Sequence, residues 1–220
     1  MNKTVYAIHT GPVLLEVMKD LFAELLPGAR LVNVVDDGLL TDVRAAGGVT
    51  PQLRRRLIGY GLLAESSGAD AILNCCSSVG EAADVLATII SIPLVKIDDR
   101  MAEVAVNTAS RIGIVATVPT TLDPTERLVH RKASERGKTV KTARYLVSAA
   151  FDALLAGDAI RHDQLLKTEI VRAASENEVV VLAQGSMARL VPQLTEEIDV
   201  PVLSSPRLGV AALRDALETR

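Results

Sequence analysis

The chain reads twice. The segment VYAIHTGPVLL (Val5 to Leu15) superposes on IGIVATVPTTL (Ile112 to Leu122) at an offset of 107, matching Thr10 with Thr117, Pro12 with Pro119 and Leu15 with Leu122. AILNCCSSV (Ala71 to Val79) superposes on VVVLAQGSM (Val179 to Met187) at an offset of 108, matching Ser78 with Ser186. Ile92-Pro93-Leu94-Val95 then matches Val200-Pro201-Val202-Leu203 at the same offset. Three segments in one order at nearly one spacing indicate a duplicated half, so the fold must be one that can be built from two copies of a single unit. In that register Cys76 corresponds to Gln184, a thiol in one copy and an amide in the other.

Each copy alternates short apolar runs with longer amphipathic stretches. Strands are expected over 3–8, 31–35, 70–74, 94–97, 111–116, 139–145, 178–183 and 202–204. Helices are expected over 13–26, 51–66, 80–90, 101–110, 125–136, 162–175, 187–197 and 207–217. The strand runs lack polar alternation, as strands covered on both faces do. Thr50 before Pro51 is a helix start, and Pro27-Gly28 is a stop. Strand–helix alternation with short connections implies βαβ units in parallel sheets. The expected fold is therefore α/β, with two pseudo-symmetric lobes, each a four-stranded mainly parallel sheet flanked by helices, and an active site between the lobes. The expected division is residues 1–100, 101–208 and a terminal helix, 209–220, packing on the first lobe.

Apolar residues make up 49% of the chain and aromatic ones 2%, so Leu, Val, Ile and Ala must fill the core. The net charge of −3 gives no basic face for nucleic acid. Arg54-Arg55-Arg56 reads as a solvated helix face. No run approaches the roughly 20 apolar residues of a membrane span, and no leader pattern opens the chain, so a cytoplasmic protein is expected. Adjacent Cys75 and Cys76 are poorly placed to bridge each other, which fits a reducing compartment. No His/Cys cluster has metal-ligand spacing, and no glycine-rich phosphate loop is present, so neither metal nor cofactor is expected. Homo-oligomers are compatible with lobes of this size, although no heptad specifies one.

In open parallel sheets ligands bind beyond the carboxyl ends of the strands. His9 and Thr10 follow the first strand, Asp36 and Asp37 the second, Cys75 to Ser78 the third, and Asp98 and Asp99 the fourth. In the second copy these places are taken by Thr117, Thr120 and Thr121, by Gln184, Gly185 and Ser186, and by Ser204 and Ser205. Cys76 opens a strand-to-helix turn, where aligned N–H dipoles are expected to favour a thiolate. The same N–H groups, with Ser77 and Ser78, can hold a carboxylate or a developing enolate. Cys75 is expected to point into the core. His130 and His162 are expected at the surface.

At these residues the chain resembles the aspartate/glutamate racemase superfamily, which includes hydantoin racemases, maleate isomerases and arylmalonate decarboxylases. The likeness rests on GADAILNCCSSVG, RIGIVATVPTTL, VVVLAQGSMARL with VPVLSS, and the duplication. It implies two similar lobes and cofactor-free proton transfer at the α-carbon of a small carboxylate or hydantoin-like substrate. Typical members carry one cysteine after the third strand of each lobe. Here the first falls on Cys76 and the second on Gln184, an atypical pairing. The resemblance also implies that substrate is bound by Thr10, Ser77, Ser78, Thr117, Thr120, Thr121, Gln184, Gly185 and Ser186.

Glutamine offers no useful acid–base chemistry, so the symmetric two-thiol mechanism is not available. Three readings follow. One is a racemase or isomerase with Cys76 and a second acid or base drawn from His9, Asp37 or Asp99. Another is a single-thiol decarboxylase or lyase. The last is a non-catalytic carboxylate-binding protein.

Overall fold

The computed structural model describes residues 3–194 and 197–219. It divides into two compact units, one holding the chain through Asp99 together with the stretch from Pro206 on, the other Arg100–Ser205.

The first unit is built on four parallel strands: β1 (Thr4–His9), β2 (Arg30–Val35), β3 (Ala71–Asn74) and β4 (Leu94–Lys96), in the order β2-β1-β3-β4. Its helices are α1 (Leu15–Leu25), α2 (Leu39–Ala45), α3 (Pro51–Ser66) and α4 (Gly80–Ala87). Side chains leave a strand on alternate faces, and both faces here are apolar. Val5, Ala7, Ala71 and Leu73 pack with Met18 and Phe22 of α1. Ile8 and Ile72 pack on the other face with Leu39, Leu53, Leu57, Ala83 and Leu86 of α2, α3 and α4. The Thr50 hydroxyl caps α3 by accepting from the Leu53 N–H at 3.3 Å.

The second unit repeats the plan. After α5 (Asp99–Thr108) come β5 (Arg111–Ala116), α6 (Pro119–Glu135), β6 (Lys141–Leu146), α7 (Ser148–Leu155), α8 (Ala159–Glu176), β7 (Val179–Leu182) and β8 (Val202–Ser204). The strands are parallel in the order β6-β5-β7-β8, the same path through the sheet as in the first unit. Val115, Val180 and Leu182 pack with Leu166, Ile170 and Ala173 of α8. The last helix, α9 (Ser205–Glu218), returns to the first unit, where Val210 and Leu213 join the core of α1, β1 and β3. Gly209 makes this approach possible. A Cβ there would stand 2.6 Å from the Ile97 carbonyl oxygen, closer than atoms can pack.

All eight strands stand where the apolar runs predict, and the topology is the expected α/β duplication. The helices differ in four places. Helices α2 and α7 carry seven and eight residues and were not expected. Helix α6 begins at Pro119, six residues before the expected Thr125, because Pro119 supplies the first-turn proline and Pro124 is carried inside the helix. The helix expected over 187–197 is a 3₁₀ helix, Gly185–Gln193, and residues 195 and 196 lie outside the described residues.

Candidate functional site

In the first lobe, the chain leaves β3 through Cys75 and enters a 3₁₀ turn, Ser77–Val79, that runs into α4. Cys75 is buried in the sheet core on the α1 face, and burial pushes its thiol well above the ordinary range. Cys76 is half-buried on the opposite face, against the α3–α4 core. The Thr10 hydroxyl, the Ser78 hydroxyl and the Ser78 N–H donate to its sulfur, which favours the thiolate. Burial outweighs them, and the charge of Asp98 adds to burial, so the thiol is raised rather than lowered. The expected thiolate-favouring helix terminus is thus corrected. The residues after Cys76 form a single 3₁₀ turn before the α-helix, and desolvation wins over its dipoles.

Asn74 fixes the turn. Its side-chain amide donates to the Cys76 carbonyl at 3.0 Å, and the residue is 1% exposed. Asp98 stands on the neighbouring strand's exit. It is 3% exposed, Ser77 donates to its carboxyl, and burial raises it. The buried ammonium of Lys96 pairs with Asp84 of α4 at 2.8 Å and with Asp99 at 3.2 Å. Asp99 therefore opens α5 while holding Lys96, and its role as a helix-start residue and an ion-pair partner is concrete.

His9 ends β1 with 1% exposure, and its Nε2 lies 2.9 Å from the Asn33 side-chain oxygen. Burial lowers it, so the imidazole is neutral near pH 7. Asp37 is exposed. Its neighbour Asp36 is buried and held by Arg56 at 2.5 Å and by the Tyr60 hydroxyl at 2.7 Å. Arg56 also donates to Asp42 at 2.7 Å. Of the three consecutive arginines, Arg54 and Arg55 face solvent as expected, while Arg56 is built into this network.

The second lobe has the same backbone with different chemistry. Gln184 is extended at φ −120° and ψ 128°, as Cys76 is at φ −142° and ψ 120°, and each opens a 3₁₀ turn. Gln184 Oε1 accepts from the Thr117 N–H at 2.7 Å and from its hydroxyl, and the amide Nε2 stays within 2.9 Å of the Thr117 Oγ1. Thr10 with Cys76 and Thr117 with Gln184 are thus equivalent pairs. Gly185 and Ser186 begin the 3₁₀ helix. Thr120 and Thr121, expected in a loop, lie in the first turn of α6.

His162, expected at the surface, is 4% exposed. It lies on the inward side of the first turn of α8, its Nδ1 donating to Asp163 at 2.8 Å. Arg189 pairs with Asp163 and holds that carboxyl down at about 2. His130 is exposed, as expected.

Among the described residues no helix is long and apolar enough to cross a membrane, and no three His, Cys, Asp or Glu side chains cluster as metal ligands. Sequence reading passed over Asn74 and Lys96 and favoured Asp99 over Asp98. The parallel register that sets Asp98 beside Cys76 was the missing signal.

Residues 28–213 match the family model described as Asp/Glu/Hydantoin racemase, and the chain belongs to that family. It is a family of racemases, and so of isomerases. No curated protein matches the sequence at a significant level. Among solved structures, the chain is similar to allantoin racemase from Klebsiella pneumoniae, with 19% identity, coverage of 99% of this chain and 88% of that one, and a TM-score of 0.70. It is similar to an aspartate racemase from Picrophilus torridus, with 16% identity, coverage of 99% and 95%, and a TM-score of 0.76. It is also similar to a glutamate racemase from Bacillus anthracis, with 17% identity, coverage of 99% and 82%, and a TM-score of 0.74. At these identities the likeness is one of fold.

Proposed function

We propose that the chain is a cofactor-independent racemase or isomerase that moves a proton at the α-carbon of a small carboxylate or hydantoin-like substrate, with Cys76 as the reacting acid–base group. The observation that carries this reading is the Cys76 turn. A thiol there is held by Thr10 and Ser78 on a strand-to-helix exit. Ser77 and Ser78 supply hydroxyls beside it, and Thr10, at the exit of β1, supplies another polar group for a substrate carboxylate. Stabilising a carbanion next to a carboxylate requires such donors aimed at the charge that develops.

Racemisation needs a second proton carrier, and Gln184 is not one. His9 is the most apt of the three candidates. A neutral imidazole can take or give a proton near pH 7, whereas Asp37 is exposed and Asp99 is paired with Lys96. The protein is read as acting in the cytoplasm on a small-molecule carboxylate, without nucleic acid or membrane.

The Gln184–Thr117 pair also supports the second reading, a decarboxylase or lyase. Decarboxylation of an activated acid needs enolate stabilisation and one proton donor. A thiol raised by burial holds its proton at neutral pH, which is the state such a donor requires.

The deciding experiment incubates the protein and Cys76→Ala in deuterium oxide with α-amino, α-hydroxy, hydantoin and malonate-type acids, and follows α-proton exchange and carbon dioxide by NMR. Cys76-dependent exchange without carbon loss is expected. Cys76-dependent release of carbon dioxide would select the decarboxylase, and full activity in Cys76→Ala would sink both readings.

A further inference from the structure

The two acids at the head of the first lobe's sheet stand on adjacent parallel strands. Asn74 of β3 is in register with Lys96 of β4, and the ladder continues one step further, the Ile97 N–H donating to the Asn74 carbonyl at 3.0 Å. Two residues beyond the register pair lie Cys76, past the end of β3, and Asp98, in the turn past the end of β4. Neighbouring strands are about 4.8 Å apart, so the two exits are side by side, and the charge of Asp98 acts on the Cys76 thiol. Asp98 is 3% exposed, and its Oδ1 has no hydrogen-bond partner among the described residues. An unpaired oxygen on a buried carboxylate is costly, and the same oxygen on a protonated acid is far less so.

Other charges near the pair have been assigned. Lys96 of β4 is shared by Asp84 of α4 and Asp99 of α5. From β1, Thr10 bonds the thiol and His9 turns to Asn33. From α9, Gly209 meets Ile97, and Arg207 reaches away to Glu24 of α1. The field of Lys96 does reach Asp98, but burial outweighs it.

We propose that Asp98 is a positioning residue for the charge of Cys76, the buried carboxyl and the half-buried thiol holding one negative charge between them, so that loss of the proton from one keeps the proton on the other. Two like charges this close, one of them buried, do not readily form together at ordinary pH. When Cys76 gives up its proton to a carbanion and becomes a thiolate, Asp98 takes up a proton from water and is a neutral acid with Ser77 at its side. When the thiolate has taken a proton back, Asp98 can release its own to water. This inference rests on the reading of Cys76 as the reactive thiol and adds a group whose charge acts together with burial on its protonation state.

The test reads the thiol without any substrate, so a silent racemase assay leaves its result standing. Iodoacetamide alkylation of Cys76 is followed by mass spectrometry from pH 6 to 11, in a Cys75→Ala background, for the parent, Asp98→Asn, Asp98→Glu and Ser77→Ala. Thiolate is the species alkylated. Asp98→Asn is expected to lower the midpoint by about one unit and so speed alkylation at pH 7 about tenfold. Asp98→Glu is expected to keep the parent midpoint. Ser77→Ala removes a donor that favours the Asp98 carboxylate, so it lowers the midpoint by less, and it serves if Asp98→Asn does not fold. An unchanged or raised midpoint in a folded Asp98→Asn, or in Ser77→Ala should that variant alone fold, overturns the proposal.

Discussion

The two lobes share a strand order, a parallel register and a Thr at the first strand's exit, and they differ in what that Thr holds. In the first lobe Thr10 donates to a thiol. In the second, Thr117 is engaged through both its N–H and its hydroxyl by the Gln184 amide. The backbone that presents the two side chains is nearly the same, extended and then a 3₁₀ turn. Duplicated folds can therefore keep a scaffold while one copy gives up chemistry. The amide satisfies Thr117 without an ionisable group, whereas the thiol leaves a titratable one. The asymmetry extends to the fourth strand. Asp98 in the first copy corresponds to Pro206 in the second.

The sharpest way to break this comparison is to delete both side chains in turn. Cys76→Ala is expected to lower turnover by about 10²–10⁴-fold, the usual contribution of a positioned acid or base. Gln184→Ala is expected to lower turnover much less than Cys76→Ala does, while leaving the buried Thr117 N–H unpaired, a cost of about 1–3 kcal/mol. Turnover and urea unfolding of the two variants check this. Equal losses of turnover in both would mean that the lobes are not functionally different.

A second variant probes what holds the Cys76 side of the molecule together. Gly209→Ala on α9 would press a methyl group onto the Ile97 carbonyl, one residue before Asp98. Backbone cannot step aside as a side chain can, so a loss of about 3 kcal/mol is expected, the upper end of overpacking. The three atoms nearest to a Cβ at Gly61 all belong to the Leu86 side chain, the first at 2.2 Å, and Gly61→Ala should cost less. Thermal unfolding of both checks the order, and a smaller loss for Gly209→Ala would show that α9 can shift without disturbing β4.

Much of this was legible before any coordinates. Apolar runs without alternation mark strands buried on both faces, and repeated Thr-x-Pro and Ser positions set the lobes in register, so Cys76 faces Gln184 from sequence alone. Helices α2 and α7 were not legible. LLTDVRA sits between Asp-Asp-Gly and Gly-Gly, signals that read as loop, and SAAFDALL is too uniformly apolar to show a helical period. Lys96 resembles a polar interruption in LVKI, and nothing local shows that Asp84, twelve residues earlier, turns back to neutralise it. Asp98 and Asp99 are indistinguishable in sequence. One is buried beside the thiol and the other reaches the lysine because strand pairing and the start of α5 divide them, and pairing is not a local property.

Restoring the missing group sharpens the comparison further. Gln184→Cys places a thiol on a backbone already shaped like that of Cys76, with Thr117 in place of Thr10. Native alkylation is expected to rise from one reactive thiol per chain, Cys76, to two, with Cys75 protected by burial in both proteins. If the new thiol stays unreactive at the pH where Cys76 reacts, the Thr117 pocket differs from the Thr10 pocket in more than the side chain it holds.

The smallest expected effect concerns the end of the first strand. His9 is buried and neutral, and its position in the second copy is taken by Ala116, which cannot titrate. Burial lowers the folded imidazole below the ordinary value of about 6.5, at which it titrates in the unfolded chain. Between the two values the unfolded chain binds more protons, so stability is full above about pH 6.5 and falls as the pH drops towards the folded value. The Asn33 hydrogen bond acts in the opposite sense and is the weaker influence. His9→Gln keeps a polar group near Asn33 and removes the titration. Its stability should therefore decline less between pH 6.5 and 5 than that of the parent, measured by urea unfolding at each pH. Parallel curves would mean that the imidazole is as well solvated as in the unfolded chain, and His9 would then lose its standing as a neutral base held ready at the Cys76 end of the sheet.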